Sequence, residues 1–278
     1  MPELPEVECL SQAIKQVLEG RTISAARFYR KDLRGPIPIK QINELVVGHK
    51  VSKVHRRSKY MLWDTEAGIG VIHLGMTGNV FYRESPEPSL KHTHAVFTLV
   101  DQKGSDAGYL HYVDPRRFGW ISCCTHEEYP DHAFFNKLGP EPLEEEKLLE
   151  HLWQKSRKKT VAIKTFLMNA HIVVGVGNIY ANEALFRAGV RPSRPAGRVS
   201  RKEMDLICES IKATLQEAIT AGGTSFRDFK NADGEPGYFA ISLNLYGRGG
   251  EPCRVCKSEI KTSRLGNRAT YYCPNCQS

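Results

Sequence analysis

The stretch LGPEPLEEEKLL, residues 138–149, divides a chain of 278 residues into two textures. Gly139, Pro140 and Pro142 interrupt any regular element, an acidic cluster follows, and helix formers then take over. Upstream lie short β-branched and aromatic runs broken by Gly, Pro and Asp: TISAARFY (22–29), KVSKVHR (50–56), YMLWDT (60–65), GVIHLGM (70–76), NVFYR (79–83), HAVFTLV (94–100), GYLHYVD (108–114) and FGWISCC (118–124). Strands so short and so closely spaced predict an antiparallel sandwich or barrel. Before them Val7, Leu10, Ile14, Val17 and Leu18 recur at helical spacing, with Gly20 where a C-terminal cap belongs. Downstream the pattern turns helical, most clearly in residues 201–223, where Ile207, Ile211, Leu215 and Ile219 form one stripe. The expected fold class is α+β, with a domain boundary at residues 130–145.

Composition limits the rest. The chain is 41% hydrophobic and 25% charged, and its longest apolar runs fall far short of the roughly 20 residues that span a bilayer, so no membrane partner is expected. A formal net charge of +8 favours a polyanionic partner. The opening MPELPEVE has neither the basic nor the apolar region of a secretory signal, so the expected compartment is the cytoplasm.

Four of the eight cysteines form two C-x-x-C pairs, CRVC (253–256) and CPNC (273–276). Cys253, Cys256, Cys273 and Cys276 can converge tetrahedrally on one Zn²⁺, and because all four positions are filled by thiolates the zinc is expected to be structural. Between the pairs lie Lys257, Lys261, Arg264 and Arg268, a basic hairpin suited to phosphates, although such ribbons also bind proteins.

Several separated segments, in order, resemble bacterial formamidopyrimidine-DNA glycosylase: MPELPEVE, RRSKY (56–60), IHLGMTG (72–78), DPRRFG (114–119), VVGVGNIYANEALF (173–186), DGEPGYF (233–239) and the cysteine finger with NRATYYC. The resemblance implies a helix-flanked β-sandwich over 1–135, a helical helix-two-turn-helix domain with a lesion-capping loop over 136–240, and a zinc finger over 241–278. It further implies a monomeric bacterial repair enzyme, nucleoid-associated, acting on double-stranded DNA that contains oxidised purines or abasic sites. Such an enzyme excises the base and then cuts the strand by β,δ-elimination.

Loss of Met1 would leave Pro2 with a terminal secondary amine able to attack the sugar C1′ and form a Schiff base. By resemblance Glu3 acts at the sugar ring oxygen and shuttles protons, and Lys59 contacts the backbone beside the lesion, with Arg56 and Arg57 in the positive wall. His73, Lys164, Asn178 and Arg268 match the family's other phosphate contacts. Asn178 also suits a helix N-cap, and the two roles are compatible. Met76, Arg116 and Phe118 match the trio that fills the hole left by a flipped base. Read alone, Met76 and Phe118 would be core residues, but their glycine-flanked turns favour exposure. Glu6 is assigned to the lesion pocket, with service at the helix N-terminus as the competing reading. Arg227, where some relatives carry lysine, and Tyr238 are assigned to the pocket through the closing loop. Two rivals stand beside this reading: an endonuclease VIII-like enzyme acting on oxidised pyrimidines, and a zinc-bearing protein that recognises distorted DNA without cutting it.

Overall fold

The computed structural model describes residues 2–86, 91–222 and 243–278. They form two compact units, one of residues 2–136 and the other of 137–221 with 243–278.

In the first unit, α1 (Leu4–Leu18) buries Leu4, Val7, Leu10, Ile14 and Leu18 along one face. It ends at Gly20, whose φ of +82° is the left-handed conformation glycine adopts without strain. Eight strands follow: β1 (Thr22–Phe28), β2 (Val51–Arg57), β3 (Tyr60–Thr65), β4 (Ile69–His73), β5 (Asn79–Arg83), β6 (Thr93–Val100), β7 (Asp106–Val113) and β8 (Trp120–Cys124). They make two four-stranded antiparallel sheets, ordered β1-β6-β7-β5 and β2-β3-β4-β8. Trp63 of one sheet meets Phe97 of the other edge to face, with ring centroids 5.1 Å apart. The core of this unit is the stripe of α1 packed with residues of both sheets, among them Met61, Leu99, Leu110 and Tyr112. A short helix, α2 (Ile39–Leu45), interrupts the strand-rich region after Pro36 and Pro38.

The second unit contains α3 (Leu148–Ser156), α4 (Ile163–Leu167), α5 (Asn178–Arg187) and α6 (Arg201–Thr220), then a hairpin of β9 (Lys261–Leu265) and β10 (Arg268–Tyr272). Ser200 starts α6 with a capping box to Glu203. Hydrogen bonds from Arg194 to Glu203, at 2.6 and 3.0 Å, hold that carboxyl down at about 2. Ile207, Ile211 and Leu215 are buried and Ile219 is half-buried. No helix among the described residues is long and apolar enough to cross a membrane.

Candidate functional site

The stretch MPELPEVE becomes a helix start. Glu3 is the N-cap of α1, and its N–H donates to the Glu6 carboxylate at 2.8 Å in a reciprocal capping box; Pro5 sits in the first turn, where a missing N–H costs nothing. Pro2, Glu3 and Glu6 are all buried. Of the two roles open to Glu6, the cap is realised in the structure.

Lys59 occupies the turn between β2 and β3, beside Ser58 in the left-handed region at φ 56°. Arg56 departs from the sequence expectation of an exposed positive wall, because its side chain is only 3% exposed. Its Nε donates to Glu8 of α1 at 2.8 Å and its Nη1 to the Ser58 carbonyl at 2.9 Å. The guanidinium therefore ties the Lys59 turn to the helix that begins at Leu4.

His73 ends β4 opposite Tyr60, with the two rings 4.8 Å apart. Burial, reinforced by the nearby Lys59 and Arg34 charges and opposed by Asp114, pushes its pKa down to about 4. The Gly75 N–H donates to Nδ1 at 3.1 Å, which leaves Nε2 as the protonated nitrogen of a neutral ring. Burial also raises Tyr60, partly offset by Arg34.

Met76, Arg116 and Phe118 are brought together by two touching turns. Gly75 has φ 63°, and a Cβ there would stand 2.5 Å from the Gly119 nitrogen, so only glycine lets the turns meet. Asp114, fully buried, pins them: its carboxylate accepts from Thr77 Oγ1 at 2.6 Å and from the N–H groups of Arg116 at 3.3 Å and Gly119 at 2.9 Å. Phe118 is 42% exposed, Met76 is half-buried, and the Arg116 guanidinium lies 4.8 Å over the Phe118 ring. The motif DPRRFG alone assigns no role to Asp114, and Arg34, which lies far away in the chain, carries no sequence signal that links it to His73.

In the second unit the four cysteine sulfurs lie within 4.8 Å of one another, with Cys256 and Cys273 3.3 Å apart and Cys253 and Cys276 4.0 Å apart. Tetrahedral Zn–S bonds of about 2.3 Å require sulfurs about 3.8 Å apart, so the donor set and its spacing fit one structural zinc. Burial pushes the thiols of Cys9, Cys123 and Cys208 up to about 12 and that of Cys124 up to about 11, which disfavours the thiolate. Arg268 opens β10 on the exposed side of the hairpin. Asn178 is the first residue inside α5 and not its cap; the half-in position belongs to Gly177, whose backbone is extended. The Asn178 Nδ2 lies 3.5 Å from the Tyr246 hydroxyl. Glu183, which sequence reasoning also missed, accepts the N–H groups of Asn244, Leu245 and Tyr246 at 2.8 to 2.9 Å and so fixes the approach to the finger.

Lys164 is not a surface cation. It is 1% exposed, and its Nζ donates to the Ala269 carbonyl and to Thr270 Oγ1, both at 2.8 Å. Arg227 and Tyr238 lie outside the described residues.

Residues 1–121 match the family model of the formamidopyrimidine-DNA glycosylase N-terminal domain, 138–230 that of its H2TH domain, and 250–278 a zinc finger found in FPG and IleRS. The chain belongs to the formamidopyrimidine-DNA glycosylase family. It is 44% identical over 278 residues to the formamidopyrimidine-DNA glycosylase of Vibrio parahaemolyticus, covering all of both chains. Among solved glycosylases it is similar to a Lactococcus lactis FPG mutant in complex with a Fapy-dG containing DNA, at 30% identity, TM-score 0.89 and full coverage of both chains. The Lactococcus lactis Fpg in complex with an abasic site containing DNA gives 30% identity and TM-score 0.88, again with full coverage of both.

Proposed function

We propose that this glycosylase excises oxidised purines, 8-oxoguanine and formamidopyrimidines, from double-stranded DNA and then cleaves the abasic strand. Membership of the family supports the activity, and the amino-terminal cap of α1 is the observation that carries the residue roles. A capping box whose members, Glu3 and Glu6, are both buried holds Glu3 in place next to the buried Pro2, an order that a nucleophile and its proton shuttle need and a flexible terminus would not supply. In this reading the Pro2 nitrogen attacks C1′ and loses its proton, while the glycosidic bond breaks with its electrons going to the base, which is protonated as it leaves. The C1′–O4′ bond then opens to a 4′ hydroxyl as the iminium forms, and that iminium acidifies the C2′ proton whose removal expels the 3′ phosphate. Glu3 handles the proton at the ring oxygen and during elimination. Lys59 supplies a cation at the backbone, and neutral His73, Asn178 and Arg268 supply further phosphate contacts. The exposed Phe118 and its Arg116 partner, with Met76, fill the vacated stack.

We assign Arg227 and Tyr238 to the lesion pocket. The domain limits we favour are 1–135, 136–240 and 241–278, and the place of work is the cytoplasm, on nucleoid DNA.

The test is borohydride trapping on a duplex carrying 8-oxoguanine opposite cytosine, with the adduct mapped by mass spectrometry. An adduct on Pro2 is expected. Trapping only with an oxidised pyrimidine would move the chain to the endonuclease VIII-like reading, and tight binding with no adduct on any lesion would leave a recognition protein.

A further inference from the structure

The buried ammonium of Lys164 is the charged group that the proposed chemistry leaves unexplained. A charge withdrawn from water is tolerated only where hydrogen bonds replace its hydration, and here the replacements come from the finger hairpin, 105 and 106 residues further along the chain. Thr270 is fully buried, and its Oγ1, which accepts from Lys164, donates in turn to the carbonyl of Arg268 at 3.2 Å. A relay thus runs from the ammonium through the hydroxyl to the main chain of Arg268. The hairpin turns tightly at its tip, where Gly266 and Asn267 both have positive φ, at 55° and 59°, and a Cβ added at Gly266 would stand 3.5 Å from the Thr165 side chain of α4. A second tie, from the Tyr271 N–H to Asn182 Oδ1 at 2.9 Å, holds the opposite end of β10 to α5.

We infer that Lys164 is a positioning residue: it latches β10 to α4 and so aims Arg268 at its phosphate, without meeting DNA itself. The inference rests on the reading that Arg268 contacts the DNA backbone.

A double-mutant cycle separates the possibilities. Equilibrium binding to a duplex with an uncleavable abasic-site analogue is measured for the full-length zinc-loaded protein, for Lys164→Met, for Arg268→Ala and for the pair. Arg268→Ala is expected to weaken binding about tenfold, the order of one charged phosphate contact. Lys164→Met should weaken it comparably with zinc content unchanged, and the pair should bind no worse than Arg268→Ala alone. If the two losses multiply, Lys164 makes its own contact and the inference fails. If Arg268→Ala binds as tightly as the unaltered protein, the phosphate reading fails first. Should Lys164→Met shed its zinc, Thr270→Val decides the matter, because it breaks the relay while keeping the cation. Weakened binding that is not additive with Arg268→Ala supports the latch, and undiminished binding overturns it.

Discussion

Neutral His73 illustrates how neighbours set a residue's chemistry. Its burial and the Lys59 and Arg34 charges outweigh the attraction of Asp114, so the ring stays uncharged above a pH of about 4, and in the proposed complex it would meet a phosphate with a hydrogen bond and no cation. An NMR titration of the ring should give about 4, and a value near the ordinary 6.5 would refute the assignment. The sign for stability follows. The unfolded chain takes up this proton near 6.5 and the folded one only near 4, so stability is full above the first value and falls as pH drops toward the second. His73→Gln should flatten that part of the urea-midpoint profile. Asp114 acts through geometry, since its buried carboxylate holds one hydroxyl and two N–H groups that join the Met76 and Phe118 turns. Asp114→Ala strands those donors and should cost about 2–4 kcal/mol in urea unfolding, with base excision falling as the turns part. Asp114→Asn, which keeps one acceptor oxygen, should cost less. The neutrality of His73 was not legible in GVIHLGM, because Arg34 is remote in sequence; the role of Asp114 could have been read from an acid wedged between a strand and a PRRFG turn.

Among the elements, the finger depends most on what it binds. Among the described residues its buried core is Leu245 and Ile260 with Cys253 and Cys273, joined by the partly buried Phe186 and Tyr271, too little apolar surface to hold a fold without metal. Chelation or Cys253→Ser should therefore release the β9–β10 hairpin, while α5 and α6 keep their packing. Hydrogen exchange reads this directly: amides of Lys261–Leu265 and Arg268–Tyr272 should lose protection and those of α6 retain it, and equal loss in both would show that the finger is not a separate cooperative piece. The finger was legible because cysteine spacing is a local signal, and so were α1 and α6, whose stripes repeat within one element. Less could be read where partners are remote. Helix α2 is seven residues after two prolines, with no side-chain cap, and is held by tertiary packing that no periodicity announces. The strand order β1-β6-β7-β5 brings β6 beside β1 across four intervening strands, a pairing invisible to period-two alternation. Lys164 gave a signal that went unused: it stands in VAIKTFL on a helix of five residues with Ile163, Phe166 and Leu167 buried around it.

Across the whole molecule the question is how much of the formal +8 charge reaches DNA in the proposed complex. The residues assigned to phosphates are not equivalent. Lys59 is partly exposed and Arg268 exposed, and both bring a cation; His73 is neutral and Asn178 uncharged, so they bring hydrogen bonds alone; and the charge of Lys164 is enclosed in the hairpin. Counterion release responds only to the cations, at about 0.9 in the slope of log K against log salt per phosphate neutralised. Arg268→Ala and Lys59→Ala should therefore each reduce the slope by about 0.9 as well as weakening binding. Asn178→Ala, and His73→Gln at neutral pH, should weaken binding at every salt concentration while leaving the slope unchanged. Fluorescence anisotropy across a salt series measures both quantities at once. A slope that falls by nearly one unit in the His73 variant would mean that DNA binding protonates the ring, because a phosphate oxygen brought against Nε2 would then have raised the pKa from about 4 to beyond neutrality.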